Sequence, residues 1–286
     1  MFEYDFMVRA LIGVTMTGLI APAIGIYLVQ RRLSLIGDGL GHVALTGVGV
    51  GLLLNQQPVL MAVIVAALGA VAVELVRERG RTSGDVALAI LFYGGISGGV
   101  MLVSVSSGSS GSSLISYLFG SPLTASKNDL YVTGVLAAVV LAVTLLLKPW
   151  LFAVCQDEEH ARVSGVPVRL LNLTLAVAAA VTVTAAMRTV GLLLVSALMV
   201  IPVATAQRVS RGFTVTMVGA MALGVAASAG GLWTAWKVDS APGATIVLVA
   251  IGGFVLVTIG AAVRSRLSRL MATPDPADDP ECVLNP

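Results

Sequence analysis

Charge is scarce in this chain: Asp, Glu, Lys and Arg make up 11% of its 286 residues, against 57% hydrophobic. That scarcity excludes an ordinary soluble globular protein. A formal net charge of +2 is too small to point to a nucleic-acid partner. There are two cysteines, Cys155 and Cys282, at no ligand spacing. Both fall in segments placed below in the reducing cytoplasm, so neither a disulfide nor a Cys-based metal site is expected. The phosphate-binding pattern GxxxxGK[ST] is missing, so the chain does not handle ATP in that manner itself, and with no HExxH, and its GxSxG match at Gly95–Gly99 lying inside an apolar run, it does not read as an enzyme. A basic leader is also missing. "MFEYDF" is acidic, and the apolar run that follows, Met7 to Val29, is long enough to cross a bilayer rather than serve as a cleaved signal.

What the chain does have is long apolar runs. Nine segments are long enough for a hydrocarbon core of about 30 Å: residues 7–29, 35–54, 58–76, 84–103, 129–147, 170–187, 189–206, 213–236 and 243–263. No alternation of period two recurs along the sequence, so the expectation is an all-α, polytopic membrane helix bundle rather than a barrel. With the N-terminus outside and the C-terminus cytoplasmic, the outer side keeps Arg9, Lys127, Arg188 and Lys237. The other thirteen of the 17 Lys and Arg then fall inside, as the positive-inside rule expects. The tight connection at 187–190 is the least well marked boundary. The outer stretch from Ser104 to Asp129 begins Ser/Gly-rich and contains an apolar segment, Leu114 to Phe119. It reads either as a linker or as a short helix at the membrane surface. The tail "TPDPADDPECVLNP" has almost nothing to bury and reads as disordered.

Within the second span, "LSLIGDGLGHVALTG" holds an acid and an imidazole, Asp38 and His42. His42 lies ten residues beyond Arg32, about 15 Å along a helix and so near the bilayer midplane. Residues four apart share a helix face, and an ionisable group at that depth costs at least about 2.5–3.5 kcal/mol, so such groups face a pathway, a partner or an ion. Two structural readings stand beside this one: the two side chains bond each other, or Asp38 pairs with Arg31 or Arg32. One imidazole and one carboxylate suit zinc, manganese or ferrous iron, but two ligands are too few for a tight site. Two copies of the chain meeting at this helix would supply four. Asp85 and Glu74, at span ends close to arginines, read as structural.

The inner loop "KPWLFAVCQDEEHARVSGVPVRLLN" places Asp157, Glu158 and Glu159 where negative charge suits a helix N-terminus, with Gly165 and Pro167 as the stop. A short cytoplasmic helix from about Asp157 to Ser164 is expected, either solvated or a docking element. His160 within it reads as a surface residue.

At these residues the chain closely resembles the membrane permease of metal-uptake ABC transporters, the zinc, manganese and iron branch. "RRLSLIGDGLGHVALTGVGVG", "SYLFGSPLTASKNDL", "DEEHARVSGVPV" and "GLLLVSALMVIPVATAQ" match that family in order and spacing, over nearly the whole chain. The resemblance implies a multi-pass permease domain over 1–272 in a prokaryotic plasma membrane, with 273–286 as a disordered tail. It gives Asp38 and His42 the metal-contacting role, and makes Asp157 through Gly165, including Glu158, Glu159 and Arg162, the coupling helix that seats in a cytoplasmic ATPase. It further implies a second permease copy, an extracytoplasmic metal-binding protein and no permanently bound cofactor, the divalent metal being cargo. Zinc is the metal this pattern leans to. One departure is Thr46, where the family usually has proline, which removes an expected kink site. A stand-alone secondary carrier would favour further intramembrane acids and inverted repeats, and a membrane metalloenzyme a third ligand and a base near His42. The sequence offers none of these.

Overall fold

The computed structural model describes residues 5–78, 84–106, 118, 120 and 127–271. All the regular structure among them is helical: α1 (Asp5–Gln30), α2 (Ile36–Leu53), α3 (Pro58–Glu78), α4 (Gly84–Ser106), α5 (Lys127–Leu146), α6 (Lys148–Gln156), α7 (Glu158–Val163), α8 (Val168–Val190), α9 (Leu192–Val209), α10 (Phe213–Val238) and α11 (Pro242–Met271). Eight of these are long and apolar enough to span a membrane. A ninth span forms if α5 is joined to α6 across a 64° bend, which agrees with the nine runs in the sequence. The segment 114–119, apart from Leu118, and the tail 273–286 lie outside the described residues.

The bend has a local cause. Pro149 follows Lys148 at the start of α6, where its missing N–H goes unused. The new direction is held by Phe152, whose ring stacks 4.8 Å from Phe213, and by Cys155, whose thiol donates to the Tyr27 carbonyl at 3.7 Å. The break between α8 and α9 is a single residue, Gly191, at φ 85°, a conformation that side chains with a Cβ avoid. The sequence placed this connection at 187–190, but α8 runs on to Val190 and the break falls at Gly191.

The bundle is layered around α1, α2 and α8. The most apolar window of α1 is 72% buried, whereas that of α11 is 11% buried, so α11 lies at the outer rim of the bundle. Small residues set the closest crossings, since without a hydrophobic drive between helices in lipid, close backbone packing carries the association. A methyl on Gly25 would fall 1.8 Å from the Met199 carbonyl oxygen, so α1 and α9 touch backbone to backbone there. In α1, Pro22 removes the N–H that would close on the Gly18 carbonyl, and Gly224 of α10 packs against that same oxygen. Buried threonines keep their hydroxyls satisfied by bonding back one turn, as Thr17 does to Gly13 (2.9 Å) and Thr182 to Ala178 (2.8 Å).

Candidate functional site

Asp38 occupies the first turn of α2, where its charge offsets the helix dipole in a helix whose N-cap, Leu35, offers no side-chain cap. One turn on, His42 is 7% exposed. Its Nε2 lies 3.9 Å from Asp38 Oδ1, on one helix face but too far for a hydrogen bond. His42 Nδ1 is buried and has no partner. The two side chains are therefore neighbours without being a satisfied pair, which disfavours the first structural reading. The second fails as well. The Arg31 guanidinium is engaged elsewhere, and among the described residues no basic side chain other than His42 pairs with Asp38.

The surroundings of the pair come from α4. Phe92 presents its ring edge-on to the imidazole, centroids 4.5 Å apart. A methyl on Gly95 would lie 2.7 Å from the His42 carbonyl carbon and from the Val43 nitrogen. Thr46 donates to the Gly95 carbonyl at 2.8 Å, so the residue that replaces the family's proline fastens α2 to α4 one turn past His42. From Ile36 to Leu52, no residue of α2 is exposed. In this arrangement α4 covers the face of α2 that carries His42. Among the described residues no group of three or more His, Cys, Asp or Glu side chains gathers to hold a metal, so one chain offers two protein donors.

The inner loop folds much as its sequence suggests. Asp157 is the N-cap of α7, its Oδ1 accepting the His160 N–H at 2.9 Å. Gly165 at φ 81° closes the other end, with Val166 N–H donating to the Ala161 carbonyl (3.1 Å) and Gly165 N–H to that of Arg162 (3.2 Å), a left-handed C-terminal cap. Glu159 and His160 are exposed, and Ala161 is buried against the body. Glu158 has two partners. Its Oε1 accepts from Arg162 at 3.3 Å and its Oε2 from Arg31 at 3.0 Å, while Arg31 also donates to Asn172 Oδ1 at 2.7 Å.

Arg31 itself is held in place. α1 ends in the same kind of cap, Leu33 N–H to the Leu28 carbonyl (2.8 Å) and Arg32 N–H to that of Val29 (3.1 Å), with Arg32 at φ 59°. Arg31 thus links the end of α1, five residues before α2 begins, to α7 and α8. Sequence reading placed Arg31 among the inner charges but missed this role, because its partners are 127 and 141 residues away. It also missed Val163, an apolar residue 88% exposed on α7. A cavity of about 810 Å³ opens between α3, α7 and α8, lined by Glu74, Glu78 and Glu158 with their partners Arg77, Arg169 and Arg162. Glu74 pairs with Arg77 at 2.8 Å, in keeping with its structural reading, and the Asp85 side chain lies outside the described residues.

The family described as the ABC 3 transport family matches residues 3–261. A manganese transport system membrane protein, MntC of Halalkalibacterium halodurans, is 32% identical over 257 residues, 90% of this chain and 87% of that protein. A chelated iron transport system membrane protein, YfeD of Yersinia pestis, is 32% identical over 280 residues, 98% of this chain and 94% of that protein. Among solved structures, PsaBC from Streptococcus pneumoniae in complex with Fab matches with a TM-score of 0.79 and 27% identity, covering 90% of this chain and 92% of that one.

Proposed function

This chain belongs to the ABC 3 transport family, and from that premise we propose that it carries a divalent transition metal past Asp38 and His42, driven by a separate cytoplasmic ATPase seated on α7. It is a permease of metal-importing ABC systems, a multi-pass protein of the prokaryotic plasma membrane, and supplies a pathway rather than catalysis. The observation that carries the reading is the buried, unsatisfied imidazole of His42 beside a carboxylate deep in a span, at a cost that a bound cation offsets. The metal is the cargo. The donor pair serves zinc, manganese and ferrous iron alike, and relatives named for manganese and chelated iron support manganese and iron as strongly as the zinc to which the sequence leans.

The ATPase seat is supported by a capped helix that exposes Glu159 and Val163 while Glu158 and Ala161 hold it to the body. A second copy and an extracytoplasmic metal-binding protein complete the assembly. The test is uptake of radioactive zinc, manganese and iron into proteoliposomes holding this chain and its copurified ATPase. His42→Ala and Asp38→Asn should abolish uptake while the complex still assembles. Undiminished uptake in both variants would sink the site assignment. Uptake by the chain alone without ATP would replace the importer with a secondary carrier.

A further inference from the structure

Two large cavities open at the end of the bundle that carries α7, and their charges differ. In the one between α3, α7 and α8, each arginine faces a carboxylate: Arg77 with Glu74 (2.8 Å), Arg162 with Glu158 (3.3 Å) and Arg169 with Glu78 (3.0 Å). The other, also about 810 Å³, lies between the end of α9, the start of α10 and α11. It is lined by Arg208, Arg211 and Arg264, with no acidic residue in its wall among the described residues. Among the described residues none of these three arginines is in a salt bridge, and all three are exposed.

This basic cavity has an apolar side. Its wall includes Val257, Gly260 and Ala261 of α11, a span-length apolar helix at the outer rim of the bundle. Val257 is shared with an apolar groove of about 220 Å³ that continues along the same α9–α10–α11 seam past Pro202, Leu223, Gly253 and Val249. The one hydroxyl in that groove, Thr205, is satisfied by the Ile201 carbonyl at 2.7 Å. Arg208 lies over the Phe254 ring at 5.9 Å, its cation drawn along the helix surface above the groove. From Arg264 to Val249 is fifteen residues of α11, roughly 22 Å at helical rise, about the depth of one leaflet including its headgroups.

We propose that this seam is a binding site for an anionic phospholipid, its phosphate among Arg208, Arg211 and Arg264 and one acyl chain in the groove over Gly253. A soluble acidic peptide would use the cations but not the 220 Å³ apolar continuation, whereas a phospholipid matches both parts and the length that joins them. The site is separate from the metal pathway and does not depend on which cargo passes.

The experiment is native mass spectrometry of the full chain in detergent, supplied with phosphatidylglycerol or phosphatidylcholine of equal chain length and then stripped stepwise. Phosphatidylglycerol should be retained and phosphatidylcholine lost. The triple variant R208Q, R211Q and R264Q should weaken retention of phosphatidylglycerol roughly a hundredfold, at about fivefold for each cation removed. Gly253→Leu narrows the groove and leaves every charge in place. A methyl there meets nothing within 4 Å, so the variant should fold, and it should also weaken retention. Unchanged retention in the triple variant would overturn the proposal. So would loss in the triple variant with none in Gly253→Leu, since the site would then hold an anion without a lipid tail.

Discussion

Gly94 and Gly95 stand side by side on α4 in opposite surroundings, and substituting each by alanine tests how α4 holds the helix that carries His42. A methyl on Gly94 meets no atom within 4 Å, whereas one on Gly95 would sit 2.7 Å from backbone atoms of His42 and Val43. Both changes gain the same intrinsic helix preference, about 0.5–1 kcal/mol, so that contribution cancels when the two are compared. What remains is the overpacking cost, about 1–3 kcal/mol, and it should fall toward the upper end because backbone, unlike a side chain, cannot rotate aside. Gly94→Ala is expected to match or exceed the parent protein in stability. Gly95→Ala should be less stable than Gly94→Ala by about 2–3 kcal/mol and should lose metal uptake, since the atoms pushed away are those of His42 itself. The assay is the fraction surviving size-exclusion chromatography after heating, run beside uptake in proteoliposomes. Equal stability and equal uptake in the two variants would refute the claim that α4 packs on α2 at His42.

Three further outcomes follow from the same geometry. Arg31→Gln should cost about 1 kcal/mol, since Glu158 is half-exposed and keeps Arg162; it should also free α7 for proteolysis under native conditions and reduce uptake, and an unchanged cleavage rate would exclude Arg31 as the tie. Cys155 lies on α6, beyond the 64° bend, with its thiol donating to the Tyr27 carbonyl at 3.7 Å. Alkylation by iodoacetamide should be slower in the folded protein than in the denatured chain at the same pH, and equally fast labelling of the two would contradict that packing. Finally, equilibrium dialysis of the assembled importer should find one metal ion per permease chain, and one ion shared by two chains would contradict a site contained within each copy.

How much of this was legible beforehand depends on the range of the interaction. The spans, α7 and its two caps follow from runs of apolar residues and from Asp157 and Gly165, signals contained within a few residues. The 64° bend after α5 was not read from the sequence: Pro149 suits a helix start, but the direction is set by Phe152 against Phe213, sixty-one residues on. The α8–α9 connection was placed at 187–190, one residue short, because an apolar run does not mark where the backbone turns, which is where Gly191 permits a positive φ. Asp38 and His42 stood out because ionisable groups are rare in such a chain. Nothing near them announced Phe92 or Gly95, because a helix face does not specify which distant helix covers it.

That covering helix changes the argument about coordination. Counting ligands in the sequence favoured two copies meeting at α2, because one Asp and one His cannot enclose an ion. With no residue of α2 exposed from Ile36 to Leu52 and Phe92 against the imidazole, the proposed metal pair is covered within one chain, which by itself supplies two protein ligands. For a transport pathway that incompleteness has a use. A site with four protein ligands would hold zinc as structural sites do, whereas passage requires binding strong enough to admit the ion and weak enough to release it. Two donors leave coordination positions for water or backbone carbonyls, which exchange as the ion moves. The unbonded distance of 3.9 Å between His42 and Asp38 fits the same logic, since neither side chain has to break a hydrogen bond with the other before it takes up the metal.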